Sequence, residues 1–423
     1  MNEFTIIILA ALAMELALDT VSDVLNLRAL TPEMPDELSD VYEPAEYRRS
    51  QEYTRVRTHF GLVCGAFDLA ALLVFWFAGG FNALDEIARS VWDHPVGAGL
   101  VYIGALGLLH TLLTLPFGVY ATFGIEERFG FNKTTARVFA LDQAKALGLL
   151  VVLGGPLLAA VLAFFEYGGG LAWVYGWAAV TLFSLAMAFV APTWILPLFN
   201  KFTPMEPGEL RDEILDYARS VGFTVSNILV MDGSKRSSKA NAFFTGFGRS
   251  KRIALFDTLV EKHTTAEMVA VVAHEIGHYK RGHVPQGIVM GIMTTGVLFF
   301  LLSLVLDTSG LYEAFYMERE STYAGLVFFG LLYTPLQVVL SAAGMAVSRR
   351  HEYQADQWAA DTTGEAQALA DGLKRMSADN LSNLAPHPLH VFLNSSHPPL
   401  LQRVRAIERR EAVRQSIEAA DTE

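Results

Sequence analysis

Seven stretches of the chain stay apolar for long enough to cross a bilayer. They fall at about 4–27, 60–82, 97–123, 147–166, 171–199, 286–306 and 322–347, near or above the roughly 20 residues that a spanning helix needs. Only Met1, Asn2 and Glu3 precede the first. With no positively charged leader segment, it reads as a retained helix rather than a signal peptide. Polar residues return over about 200–285 and again after 347, and these two regions are expected to form one soluble domain. The predicted division is five spans in 1–199, a soluble insertion in 200–285, two spans in 286–347 and a soluble C-terminal part in 348–423.

Within the insertion, Gly208 to Val221 reads as a helix and Asn227 to Asp232 as a strand. Ala240 to Phe247 and Arg252 to Asp257 read as a hairpin turning at Gly246 and Gly248, so a small sheet is expected. Thr264 followed by Glu267 gives a capping-box start to a helix running to about Arg281, stopped by Gly282 and Pro285. The fold class is therefore mainly α: a polytopic membrane protein of about seven helices with a soluble domain carrying a small β-sheet.

Composition agrees with a lipid environment. The chain is 52% apolar and 18% charged, against roughly a quarter charged in an average globular protein. Its net charge of -12, with no basic patch free of neighbouring acids, argues against a nucleic-acid partner. Cys64 is the only cysteine, which excludes a disulfide framework and a thiolate-rich metal site. Any metal must be held by histidines and carboxylates. Thirty of the 32 Lys and Arg fall in alternate loops, and only Arg89 and Arg319 lie in the others. By the positive-inside rule the N-terminus is expected outside and the soluble domain in the cytosol.

The capped helix carries His274-Glu275-Ile276-Gly277-His278. Histidines at i and i+4 share a helical face and can meet one tetrahedral zinc, while Glu275 beside them can take a proton from water. A third ligand is required. Six residues after the second histidine stands Val284, and His283 misses that position by one, so the third ligand is expected from another helix. The last span emerges into Ser348-Arg349-Arg350-His351-Glu352-Tyr353-Gln354-Ala355-Asp356. Glu352 is assigned to the zinc, and Asp356, one turn on, to the other ring N–H of His274. The alternative is that both acids only pair with Arg349 and Arg350 at the surface.

HEIGH, the SRRHEYQAD stretch, Asn241-Ala242-Phe243 and Ser396-His397-Pro398-Pro399-Leu400-Leu401-x-Arg403 together resemble the type I CAAX prenyl proteases. The resemblance covers nearly the whole chain, including Pro32 to Tyr53, and the motifs stand in the family's order. It implies a multi-span zinc peptidase whose helices enclose a water-filled chamber, and a substrate that is prenylated or otherwise delivered from the membrane. It further implies that Asn241, Ala242 and Phe243 bind the substrate backbone by strand addition and that His397 stabilises the oxyanion. Arg403 either holds the substrate carboxylate or anchors a helix expected from Pro399 to about Glu411. Independently of the family, Glu15, Asp19 and Asp23 form an acidic stripe in the first span. Lipid would disfavour it, so it must face protein or a chamber wall; Asp23 alone could snorkel. Two other functions remain open at this point: a quality-control protease without a prenyl requirement, and a transporter or channel with a structural zinc.

Overall fold

The computed structural model describes residues 2–31, 33–35, 43–245 and 252–421. The expected turn at Gly246 and Gly248, and Pro32, lie outside the described residues. The chain forms α1 (Glu3–Ala29), α2 (Pro44–Phe77), α3 (Gly80–Val91), α4 (Pro95–Tyr120), α5 (Ala136–Leu149), α6 (Gly155–Tyr167), α7 (Ala172–Val190) and α8 (Leu196–Phe199). The soluble insertion adds β1 (Phe202–Pro204), α9 (Glu209–Ser220), β2 (Asn227–Met231), β3 (Ala242–Thr245), β4 (Arg252–Phe256), α10 (Asp257–Val260) and α11 (Thr265–Lys280). There follow α12 (His283–Val305), α13 (Ser309–Ala314), α14 (Thr322–Thr363), α15 (Ala366–Asp379), α16 (Pro388–Asn394) and α17 (Leu400–Asp421).

Seven helical segments are long and apolar enough to span a membrane: Glu3–Ala29, Pro44–Phe77, Pro95–Glu126, Ala136–Tyr167, Gly169–Phe199, His283–Val305 and Thr322–Thr363. Three contain π-helical turns, at Ala121–Glu126, Leu150–Gly154 and Ala191–Ile195. At the second, the ring of Pro156 crowds the carbonyl four residues back, and widening the turn relieves it. Several expected bounds need correction: the helices of the second and fourth spans begin at Pro44 and Ala136, not near 60 and 147. The second span ends at Phe77 rather than near 82, because Gly79 takes φ +74° and turns the chain into the amphipathic α3. The last helix runs ten residues beyond Glu411, its exposed face carrying the Arg410–Asp361 and Arg414–Glu411 pairs.

The four strands form one mixed sheet in the order β1-β2-β4-β3. β2 and β4 are parallel, with Asn227 opposite Arg252, and β3 pairs antiparallel with β4, Ala242 opposite Leu255. β1 escapes a sequence reading because three residues ending in proline show no alternation. β3 is an edge strand.

Besides a smaller apolar core around Tyr53, Ile125, Phe129, Phe131 and Leu381 at the junction, two large ones hold the molecule at opposite ends. One packs α9, the sheet, α11, the end of α14, α15 and α17 around Ile214, Ile253, Leu255, Val272, Ile276 and Val404. The other joins the far ends of α1, α2, α4, α6 and α14 to α3 and α13 around Ile8, Trp76, Tyr102, Phe315 and Phe328. There the Trp76 indole N–H donates to the Ala314 carbonyl at 2.8 Å. Between the two ends the spans carry polar side chains that no core covers. Asp68 and His110, 4.0 Å apart, are both exposed, and Glu15 is half-buried. Such groups are costly in lipid, so they face the inside of the bundle, where water can solvate them. These are the side chains that a water-filled interior between the helices would solvate.

Candidate metal centre

α11 is set from its first turn. The Thr264 hydroxyl accepts from the Glu267 N–H at 3.3 Å, and the Glu267 carboxylate accepts from the Thr264 N–H at 3.0 Å. The same carboxylate accepts from Arg375 of α15 at 3.2 Å. Nine residues of α11, His274 among them, are buried. Gly277 allows the crossing with α14: a Cβ there would stand 3.0 Å from the Trp358 side chain and 3.2 Å from the Ala355 Cα. This close approach carries Glu352 to the histidines.

Nε2 of His274 and Nε2 of His278 are 3.1 Å apart. The Glu352 oxygens lie 3.5 Å from the first and 3.3 Å from the second. Neighbouring donors around a tetrahedral zinc with bonds of about 2.0–2.2 Å are about 3.3 Å apart. The three side chains therefore fit such an ion. Among the described residues, Oε2 of the buried Glu352 accepts no hydrogen bond, which leaves a lone pair for a metal.

Around this group, Nδ1 of His274 lies 2.8 Å from Oδ1 of Asp356. Arg403, buried, donates to both oxygens of Asp356 at 2.8 and 2.6 Å, and its Nη1 stands 3.4 Å from Glu352. The guanidinium is taken up by the site's own acids. This pairing is the contact that the helix-anchor reading of Arg403 calls for. Arg349 donates to the Val391 and Ser395 carbonyls, so it does not tie Glu352 and Asp356 into a surface pair. Burial works to lower the pKa of His274, but Asp356 and Glu352 outweigh it and raise it to about 9. The pocket is built to hold positive charge. Burial raises the pKa of Glu275 above the ordinary carboxylate range, and Glu352 adds to the rise against the pull of His274 and His278.

His397 is exposed, with Nε2 3.4 Å from Glu352 Oε1. Asn241, immediately before β3, is exposed, Ala242 is buried and Phe243 half-buried. In α1, Asp23 faces His390 of α16 at 3.3 Å, so it contacts protein rather than snorkelling. Glu15 and Asp19 lie farther along the same helix and are not brought to the site. Sequence reasoning set His283 aside as a ligand and gave no sign of its contact with His278.

Residues 23–201 match the family model described as CAAX prenyl protease N-terminal, five membrane helices, and residues 204–411 match peptidase family M48. CAAX prenyl protease 1 of Saccharomyces cerevisiae is 34% identical, over 89% of this chain and 88% of the yeast protein. The chain belongs to the CAAX prenyl protease family. Within it, the CAAX prenyl protease 1 homolog of Arabidopsis thaliana is also 34% identical, over 91% of this chain and 93% of the plant protein. The crystal structure of S. mikatae Ste24p superposes with a TM-score of 0.91 at 32% identity, covering 96% of this chain and 99% of that one. Membership makes the chain a multi-pass membrane metallopeptidase.

Proposed function

We propose that the chain holds one zinc ion between His274, His278 and Glu352 and cleaves peptide bonds near the C-termini of prenylated or otherwise membrane-delivered proteins. The observation that carries this reading is the convergence of the three ligating side chains at 3.1 to 3.5 Å. Zinc bound there would act as a Lewis acid and bring the pKa of water toward about 7. Glu275 takes the proton from the attacking water and delivers it to the leaving amine, a role suited to a carboxylate whose pKa is raised. His397 donates to the oxyanion as charge develops on the scissile carbonyl. Asp356 holds His274 in the tautomer that turns Nε2 toward the ion. The free edge of β3 accepts the substrate as an added strand, with Asn241, Ala242 and Phe243 along it.

The prenylated substrate is supported by the relatives' name, CAAX prenyl protease 1. The distribution of Lys and Arg supports an active site in the cytosol, at the bacterial inner membrane or the endoplasmic reticulum according to the source. The test is cleavage of a farnesylated CAAX peptide beside its unprenylated twin by purified protein and two variants. Glu275→Gln should keep its zinc and lose at least about 10²-fold in turnover, whereas His274→Ala should lose zinc and activity together. Near wild-type cleavage by Glu275→Gln would remove the peptidase assignment of HEIGH. Equal cleavage of the two peptides would favour a quality-control protease.

A further inference from the structure

We infer that His283 is a positioning residue for His278, the middle member of a hydrogen-bonded chain that decides which nitrogen of His278 faces the ion. The inference rests on the metal site proposed above. α11 ends at Lys280, and Gly282 at φ +72° reverses the chain into α12, whose first residue is His283. This reversal brings Nδ1 of His283 to 3.0 Å from Nδ1 of His278. Nε2 of His283 stands 2.9 Å from Oε1 of Gln354. The His283 ring is buried, and the His351 ring lies flat against it at 4.0 Å and 7°. Nε2 of His351 is in turn 3.1 Å from the side-chain amide oxygen, Oε1, of Gln286.

The direction of the chain follows from the chemistry of its end. An amide oxygen only accepts, so His283 carries its proton on Nε2 and presents a lone pair at Nδ1. His278 must then donate from Nδ1, which leaves the Nε2 lone pair aimed at His274 and Glu352. Gln354 stands two residues after Glu352 on α14, so the helix that supplies the third ligand also fixes the tautomer of the second. The two histidines are backed differently: His274 by the Asp356 carboxylate at 2.8 Å, His278 by a neutral imidazole and amide. His283, one residue short of the position where a third ligand could stand, instead supports a ligand.

The test is the zinc affinity of the full-length protein in detergent, read by competition with a chromophoric chelator. His283→Leu should weaken zinc binding about 10–100-fold, while His283→Asn, whose oxygen replaces the Nδ1 acceptor, should stay within about threefold of wild type. Gln354→Leu, which leaves His283 in place but frees its tautomer, should weaken it by several-fold, about a factor of 5. If the Leu and Asn variants at 283 bind zinc equally, whether weakened or not, His283 has no directional role and the inference falls. If His283→Leu does not fold, unchanged affinity in Gln354→Leu overturns it instead. His274→Ala is the control: a wild type without zinc, or a control that keeps it, would sink the metal site itself.

Discussion

The peptidase end and the membrane bundle are both helical, yet they bury their side chains in opposite ways. α11 buries nine of its 16 residues against neighbouring protein, whereas α5 buries none of its 14 and α7 only two of 19. In water the hydrophobic effect drives helices together, while in lipid the hydrocarbon itself covers apolar side chains, and contact is needed only where helices must be held. The difference explains the distribution of order. Ligands whose positions matter to a fraction of an ångström stand in the packed end, and the bundle, tied at its far end and at the junction, is free to leave a space within.

The sharpest break would come from the charges that hold the packed end. Arg403→Leu leaves Asp356 and Glu352 without their buried partner and should cost about 3–5 kcal/mol, with zinc lost in parallel. Thermal unfolding and metal analysis by mass spectrometry would measure both. A variant as stable as wild type would mean that the cation of Arg403 is not needed there. A pair of truncations asks the same question of apolar packing. Ile276→Ala, at a fully buried position, should cost about 2–5 kcal/mol, and Val151→Ala, 63% exposed on the fourth span, less than about 0.5 kcal/mol. Similar costs at both positions would dissolve the contrast. The smallest effect is expected inside the bundle. After Cys64 is replaced by Ser, Asp68→Cys should leave stability nearly unchanged and react with a charged thiol reagent in detergent, since the inner face meets water. A cysteine at Ser309 should be labelled from outside intact cells by an impermeant reagent. An inert residue at 68 would argue for a dry interior, and an unlabelled one at 309 for the opposite orientation.

What could be read from the sequence was local. The capping box, the HEIGH face and the seven spans each depend on periodicities within a few turns, and the capped helix begins where the pattern puts it, whereas the second and fourth spans begin well before their apolar stretches, at Pro44 and Ala136. Asp356 was legible because it stands one turn from Glu352 on one helix. Arg403 was legible only as a choice, because its partner lies 47 residues earlier and no spacing rule connects them. His283 was weighed as a ligand and set aside; its contact with His278 depends on the reversal at Gly282, which breaks the helical count that the sequence reading used. The far-end core escaped notice because α3 and α13 are too short to register as spans. Gly277 was visible in the motif, but its reason, the crossing with α14, is a tertiary one.

α14 runs unbroken for 42 residues, about 63 Å at 1.5 Å per residue. One end is immersed in lipid, and the other carries Glu352, Gln354 and Asp356. Its apolar part, 322–347, is about 39 Å long, more than the roughly 30 Å of an average hydrocarbon layer, an excess that a bilayer accommodates by helix tilt, kinking or local thickening. Pro335 is its one interior proline, and beyond it the rod is stiff. A change of acyl length that rotated the submerged arm of this lever would move the other arm, which ends in a ligand, so turnover is expected to depend on membrane thickness. Turnover in nanodiscs of graded acyl length would read that lever, and a flat response would mean that Pro335 absorbs the motion before it reaches Glu352.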